Sequence, residues 1–422
     1  MTPSERSNFA NLYADVFFYG VLAGSAIAFL PVYATHLGGT GFQIGLITAG
    51  PAVINLLVSL PAGHWLEGRP VIGATFYSSI WHRAGYLLLA LLPLALAAAP
   101  QLWIIPLVAL LMSLPGTVLA IAFNAMFADV VPPEQRGQVV GRRNALLAVS
   151  LTGSTLLSGW VLDRVIFPVN YEIVFGMGLA GAIAGTYFLG RVKAPASLPL
   201  PVGRPPGEVS RPGWMRFIDS TRDAAGLRFL THSSGQRLLR LDLLRGPFGV
   251  FLAAYFFFYL FQMMSVPIMP LMLVKELRLT DGEISLGNGV FYAMMTVGSM
   301  VLGKLTARFG HKPLLAVGAV LYGVYPLLIS LAHDRWLFYA ASLGGGLVWA
   351  VTNGGLVNRL MECVPETDRP AHMALHNLAL NFGILGGSLL GPALGEGLGL
   401  RHALLLAAIL RMLAGVGLGV WG

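Results

Sequence analysis

Apolar runs long enough to cross a bilayer recur along almost the whole chain, and nothing else constrains its fold so tightly. A helix rises about 1.5 Å per residue, so about 20 apolar residues cross about 30 Å of hydrocarbon. Twelve such runs are legible, at approximately 9–36, 41–65, 71–99, 101–131, 144–166, 171–191, 248–275, 283–307, 312–332, 336–361, 373–396 and 401–422. Only 11% of the 422 residues are charged, too few to cover a soluble surface, which takes about 25%. The expected fold class is therefore an all-α membrane protein with twelve transmembrane helices. The first run is too long for a signal-peptide core and has a counterpart in the second half, so no cleavage is expected.

Basic residues orient the spans. With the N-terminus inside, the inner loops and tails hold 20 of the 27 Lys and Arg. The outer loops hold five (Arg164, Lys275, Arg278, Arg335 and Arg401), and Arg83 and Arg411 fall within spans. This positive-inside bias predicts two cytoplasmic termini, in a bacterial-type inner membrane. It also accounts for the net charge of +8 without a nucleic-acid partner. The runs divide the chain into 1–191, a polar, proline-rich central loop at 192–247, and 248–422. Within the loop, "WMRFIDSTRDAAGLRF" (214–229) places Trp214, Phe217, Ile218, Ala225 and Phe229 near one face. An interfacial helix lying on the inner leaflet is expected there. A single cysteine, Cys363, excludes an internal disulfide.

The second half repeats the first. At a shift of 240 residues "GGTGFQIGL" (38–46) lies over "RLTDGEISL" (278–286), so that Thr40 meets Thr280 and Gln43 meets Glu283. Each is a capping box opening the second helix of its half. Gly63 meets Gly303 at the same shift. At a shift of 233, "RGQVVGRRNALL" (136–147) lies over "RPAHMALHNLAL" (369–380), pairing Arg136 with Arg369 and Asn144 with Asn377. Polar landmarks in register over most of each half point to two six-helix units made by duplication, an architecture common among transporters.

On these residues the chain resembles the major facilitator superfamily (MFS). The family signature Gly-x-x-x-Asp-(Arg/Lys)-x-Gly-(Arg/Lys)-(Arg/Lys) is matched in "GKLTARFGHK" by Gly303, Arg308, Gly310 and Lys312, with Ala307 where Asp is usual. The first copy, "GHWLEGRP", keeps Gly63, carries Glu67 in the acid position and has Pro70 for the second glycine. "PPEQRG" (132–137) reads as the matching loop between the fourth and fifth helices. The resemblance implies two pseudo-symmetric six-helix bundles around a central cavity, working by alternating access. It also implies a cytoplasmic gate, in which Glu67 pairs with Arg136, Arg142 or Arg143. An acid at a helix C-terminus needs such a partner.

Ionisable groups well within spans are few: Asp15, His82, Arg83 and Arg411. Asn8, Asn11, Asp15 and Tyr19 follow three- and four-residue spacings and form one polar stripe on the first helix. The seventh helix has "AAYFFF" at the corresponding place, with no acid. An acid inside a membrane is a functional candidate, and Asp15 is assigned to proton coupling or cation recognition, with a structural pair to Arg83 as the alternative. Further candidates for the cavity wall are Asn55, Arg83, Asn124, Gln262, Asn288, Tyr292, Asn353, Asn377 and Asn381, together with Asn11 and Tyr19. Hydrogen bonds between helices explain such residues equally well. Arg411 reads as a buried pair or a snorkelling side chain.

His372 and His376 beside Glu362 and Glu366 make no fixed metal-ligand set. No HExxH, Walker-type or GxSxG constellation appears, so no enzyme activity and no cofactor are expected. The function read from the sequence is a monomeric secondary transporter of a small amphiphilic or aromatic solute, proton-coupled and exporting. Drug exporters of the family carry Gly-x-x-x-Gly-Pro-x-x-Gly-Gly in the fifth helix, whereas "LTGSTLLSGWVLD" (151–163) lacks the proline and "GGSLLGPALG" (386–395) holds a Gly-Pro pair instead. Proton-coupled nutrient uptake and a non-transporting assembly factor or sensor on the same scaffold are the alternatives.

Overall fold

A computed structural model of the chain describes residues 3–66, 69–194, 244, 246–364 and 369–421, and they are almost wholly helical. Helix α1 (Pro3–Leu22) runs through a π-helical turn (Ala23–Ile27) into α2 (Ala28–His36). There follow α3 (Gly41–Leu66), α4 (Val71–Ala95), α5 (Ala98–Val130), α6 (Pro133–Arg164) and α7 (Val169–Leu189). After the central segment come α8 (Pro247–Leu271), continued by a π-helical turn (Met272–Glu276), then α9 (Asp281–Phe309), α10 (His311–Tyr322) and α11 (Val324–Leu331). The chain ends with α12 (Arg335–Cys363), α13 (Arg369–Leu398) and α14 (Leu400–Trp421). Counting α1–α2 and α10–α11 as one span each, every apolar run has its helix.

Ten of these stretches are long and apolar enough to cross a membrane on both counts. The remaining two, α4 and α12, have the length, at 25 and 29 residues, but carry polar groups such as Arg83 and Asn353. The largest boundary difference is at α6, expected from 144 and observed from Pro133. Pro133 sits in the first turn, where a missing N–H does no harm, and Glu134 faces the positive helix end. "PPEQRG" is thus mainly the start of a helix and not a loop. The interfacial helix expected over 214–229 lies outside the described residues.

The contacts carry the duplication into three dimensions. In the first half α4 packs on α5 and α7, α3 on α5, and α1 on α6 and α7. In the second, α10 packs on α12 and α14, α9 on α12, and α8 on α13 and α14. Each pairing has its counterpart at the same place in the other half. Small residues set the closest approaches: a Cβ on Gly387 would overlap the Leu260 carbonyl, and one on Gly391 the Met264 carbonyl, so α13 lies directly against α8.

Among the described residues the two halves meet chiefly through α6 on α9 and α3 on α13. There Gly41 lies against Pro392, Gly45 against Ser388 and Gly159 against Ser285. Both expected capping boxes form. Gln43 accepts the Thr40 N–H at 3.0 Å, and Glu283 accepts that of Thr280 at 3.0 Å. The second box is extended across the interface, because Asp163 at the end of α6 accepts the Gly282 N–H at 2.8 Å and the Thr280 hydroxyl at 3.2 Å. A carboxylate at a helix N-terminus is held by the orphan amides and the dipole together. Asp281 adds a second link, accepting from the Tyr171 hydroxyl at 2.9 Å and lying 2.9 Å from Nε2 of His36. Lys275 donates to the Gly39 carbonyl at 2.9 Å. At the other end a Cβ on Gly63, Gly137, Gly141 or Gly303 would meet nothing within 4 Å. The halves are parted there.

Gly391→Val is expected to destabilise the protein by about 1–3 kcal/mol, since backbone has to move to admit the side chain. Gly137→Ala, in open surroundings within α6, is expected to raise stability by up to about 1 kcal/mol. Apparent melting temperatures in detergent, read by intrinsic fluorescence, test both.

Candidate functional site

Helices α1, α3, α4, α5, α6 and α7 surround a polar cavity of about 510 Å³ in the first bundle. Its wall includes Asp15, Tyr19, Asn55, His82, Arg83, Asn124 and Arg143. Polar groups reach it from helices that are otherwise apolar, so each comes from an exception in the sequence. Asp15 interrupts α1 one turn from Tyr19. His82 and Arg83 interrupt α4 between runs of aliphatic residues, and Arg143 sits in the basic opening of α6.

Asp15 and Arg83 form an ion pair, Oδ1 to Nη2 at 2.8 Å, with side chains 6% and 8% exposed. Arg83 also donates through Nη1 to the Thr186 hydroxyl at 3.2 Å and the Ala182 carbonyl at 3.3 Å, both on α7. Gly185 leaves the room for this pair, since a Cβ there would stand 2.7 Å from Nη1 of Arg83 and 3.2 Å from Oδ1 of Asp15. Thr186 is further fixed by Ser79 at 3.1 Å. One carboxylate, one guanidinium and a hydroxyl thus tie α1, α4 and α7 together at the cavity wall. Neither Gly185 nor Thr186 stands out in the sequence. A small residue followed by a hydroxyl, "GAIAGTYF", facing a span that holds an arginine is the available signal.

The other wall groups are ordered less tightly. Asn55 accepts from the Thr117 hydroxyl at 2.6 Å, linking α3 to α5. A ring nitrogen of His82 lies 2.9 Å from the Met112 carbonyl, and because a carbonyl only accepts, Nδ1 carries the proton. Asn124 and Tyr19 are exposed at the edge of the cavity. Arg143 stacks its guanidinium over Phe123, 4.5 Å from the ring centroid, and near Phe127 at 5.5 Å.

Several expected wall residues are placed elsewhere. Asn11 donates to the Arg191 carbonyl at 3.3 Å, and Asn8 pairs with the backbone of Lys193, so that end of the stripe holds the chain after α7. Asn381 bonds Asn377 within α13 at 3.1 Å. Gln262, Asn288, Tyr292 and Asn353 are half-buried in the second bundle and do not line this cavity. Among the gate candidates, Arg136 caps the end of α5 by donating to the Ala128 carbonyl at 2.7 Å and the Val131 carbonyl at 3.1 Å. Arg142 is exposed, and Arg143 belongs to the cavity. Arg308 lies over Phe309, Gly310 ends α9 at a φ of +80°, and Lys312 lines a small pocket with Arg359 and Glu362. Glu67 lies outside the described residues. His372 and His376 pack on Phe248 and Tyr255, with centroids 4.6 and 4.4 Å apart.

A larger hollow of about 800 Å³ lies on the other side of α4 and α5, among Trp65, Tyr77, Trp81, Leu88, Leu111 and Leu114. Trp81 and Leu111 are exposed there, as side chains bathed by hydrocarbon would be. It brings no convergent polar groups, and the polar cavity is the better candidate site.

The sequence matches the model of the Major Facilitator Superfamily over residues 15–247 and 251–421. The chain belongs to this family. It is a multi-pass membrane protein on a transporter scaffold. The Staphylococcus aureus quinolone resistance protein NorA is 24% identical over 135 residues, which is 31% of this chain and 32% of the relative. The match therefore spans about a third of either protein. Among solved structures, a point mutant of the nucleoside transporter NupG superposes with a TM-score of 0.68 at 12% identity, over 98% of this chain and 99% of the other. A bacterial homologue of the iron transporter ferroportin in an inward-facing state gives 0.68 at 14% over the whole of both. A D-xylose-proton symporter gives 0.67 at 14%, over 99% and 97%. These likenesses establish the fold.

The buried pair makes a direct energetic test available. Arg83→Gln strands a carboxylate and is expected to lower stability by about 3–5 kcal/mol, whereas combining it with Asp15→Asn recovers a large part. A melting-temperature cycle over the two single variants and the double variant measures the coupling. Additive effects would show that the two charges do not depend on one another.

Proposed function

We propose that the protein is a monomeric, proton-coupled exporter of a small amphiphilic or aromatic organic solute, working by alternating access across the inner membrane. The observation that carries this reading is the Asp15–Arg83 pair on the wall of a polar cavity, within two bundles joined at one end and parted at the other. An acid inside a membrane is a functional candidate, and Asp15 is assigned the coupling role because losing its charge would free Arg83 and loosen the tie between α1, α4 and α7. The aliphatic and aromatic part of the wall suits an amphiphilic solute. The excess of basic residues at the parted end supports its being cytoplasmic, so the conformation described is inward-facing. The partial relationship to a resistance protein supports export.

Flux of a panel of fluorescent aromatic solutes in proteoliposomes tests the reading. An imposed pH gradient is expected to drive movement, and Asp15→Asn to leave any residual flux indifferent to the gradient. Movement that follows the proton into the vesicle interior would assign uptake. No movement of any solute would favour an assembly or sensing role.

Alternating access further requires two ends that exclude each other. The Asp163 cap on α9 holds one end closed, and we assign Glu67 with a basic residue at the start of α6 to hold the other closed in the opposite state. Asp163→Ala is expected to shift the population away from the inward-facing form and Glu67→Gln toward it. Spin-label distances across each end report the shift. Equal distributions in both variants would remove the latch.

A further inference from the structure

The cavity wall carries two guanidiniums and one carboxylate. Asp15 is engaged by Arg83 at 2.8 Å, so the second cation, Arg143, has no acid of its own on this wall. Among the described residues no other carboxylate lines the cavity. His82, also on this wall, already donates Nδ1–H to a carbonyl and brings no negative charge. Among the described residues Arg143 makes no ion pair; its neighbours are the faces of Phe123 and Phe127, and its Nε is buried without a hydrogen-bond partner. A guanidinium has five N–H donors, and ring faces satisfy the charge only in part. The wall therefore offers one positive charge in excess, with open donors beside an apolar surface formed by Val16, Pro51, Leu119, Phe123 and Leu189.

We propose that this cavity selects organic anions, in which a carboxylate, sulfonate or phosphate meets Arg143 and an aromatic or apolar body lies along Phe123 and Leu119. The inference rests on the transport reading for its biological sense and names the substrate class of that same site. Two oxygens of such an acid group fit a guanidinium through two parallel, charge-assisted hydrogen bonds. A cationic solute would face the opposite balance, since Asp15 would have to leave Arg83 in order to receive it. The volume of about 510 Å³ admits a body of one or two rings.

The test uses the purified full-length protein in detergent and three probes with the same ring system: 2-naphthoate, 2-naphthamide and 2-naphthylmethylammonium. Equilibrium dialysis is expected to rank naphthoate first. Arg143→Gln should weaken naphthoate by about ten- to a hundredfold, the loss of a charged hydrogen bond, and leave naphthamide within about twofold. Arg164→Gln, on an exposed arginine at the far end of α6, should change neither. If Arg143→Gln does not elute as a folded species, protection in the unmodified protein replaces it. Naphthoate, and not naphthamide, should then slow phenylglyoxal modification of Arg143 as followed by mass spectrometry. Equal or tighter binding of the amide or the ammonium overturns the proposal. So does naphthoate binding indifferent to Arg143, or no binding of any probe at millimolar concentration. Dialysis involves no gradient, so its outcome is independent of transport. Naphthoate held by Arg143 but never moved in proteoliposomes would sink the transport reading alone, and solute flux with no preference for the anion would sink this one alone.

Discussion

Away from bulk water a guanidinium has to bring its solvation with it, and three arginines in this protein do so in three ways. Arg83 uses a carboxylate, a hydroxyl and a carbonyl from two neighbouring helices. Arg411 uses the Gln262 carbonyl at 2.7 Å, the Ser265 hydroxyl at 2.6 Å and the face of Tyr322. Among the described residues, Arg143 uses aromatic faces alone. The first two hold helices together because every partner belongs to the protein. The third has no such hydrogen-bond partner among the described residues and, unlike Arg411, it borders open space. The cavity owes its character to that difference.

The same accounting explains why the bundles separate at one end. Where they touch, charged and polar groups pair across the interface: Asp163 receives the Gly282 amide of α9, Asp281 receives Tyr171 and lies against His36, and Ser285 donates to the Thr155 carbonyl at 2.6 Å. Where they part, the basic side chains turn to their own half. Arg136 caps its own neighbour α5, and Arg308 lies on Phe309. Contacts that a half can make within itself leave it free to move as a body, which two bundles rocking about a shared gap require.

Much of the fold is legible in the sequence because hydrocarbon admits few alternatives: a run of apolar residues between charged ends becomes a helix, and Thr-x-x-Gln/Glu opens one wherever it stands. Element ends are lost where helix continues beyond the membrane, as at Pro133, since hydropathy reports the apolar stretch and not the hydrogen bonds past it. The site is only half legible. Asp15 and Arg83 are conspicuous as charges inside spans, and their pairing is one of two readings the sequence leaves open. Arg143 lies in a basic cluster at a helix start, which points to the gate and not to the cavity. Position along the helix, and not charge, turns it toward Phe123 while Arg142, one residue earlier, faces outward. The Asp163–α9 contact cannot be read at all, because it joins residues 119 apart through a backbone amide that any sequence supplies.

The two arginine clusters also show what duplication kept and what it abandoned. Each half brings its first, third and sixth spans together around one guanidinium, but Arg83 stands on the third span and Arg411 on the sixth span of its half. In the second half the cation finds a carbonyl that the backbone leaves available: Pro326, four residues after Tyr322, has no N–H to give, and Nη1 of Arg411 lies 3.4 Å from the Tyr322 oxygen. Carbonyls and ring faces carry no formal charge. Asp15 does, and it is the one carboxylate well within any span. The first bundle is therefore joined at this place by a charged pair, and the second by neutral groups around a single cation. Duplication kept the meeting of three helices and not the chemistry that joins them.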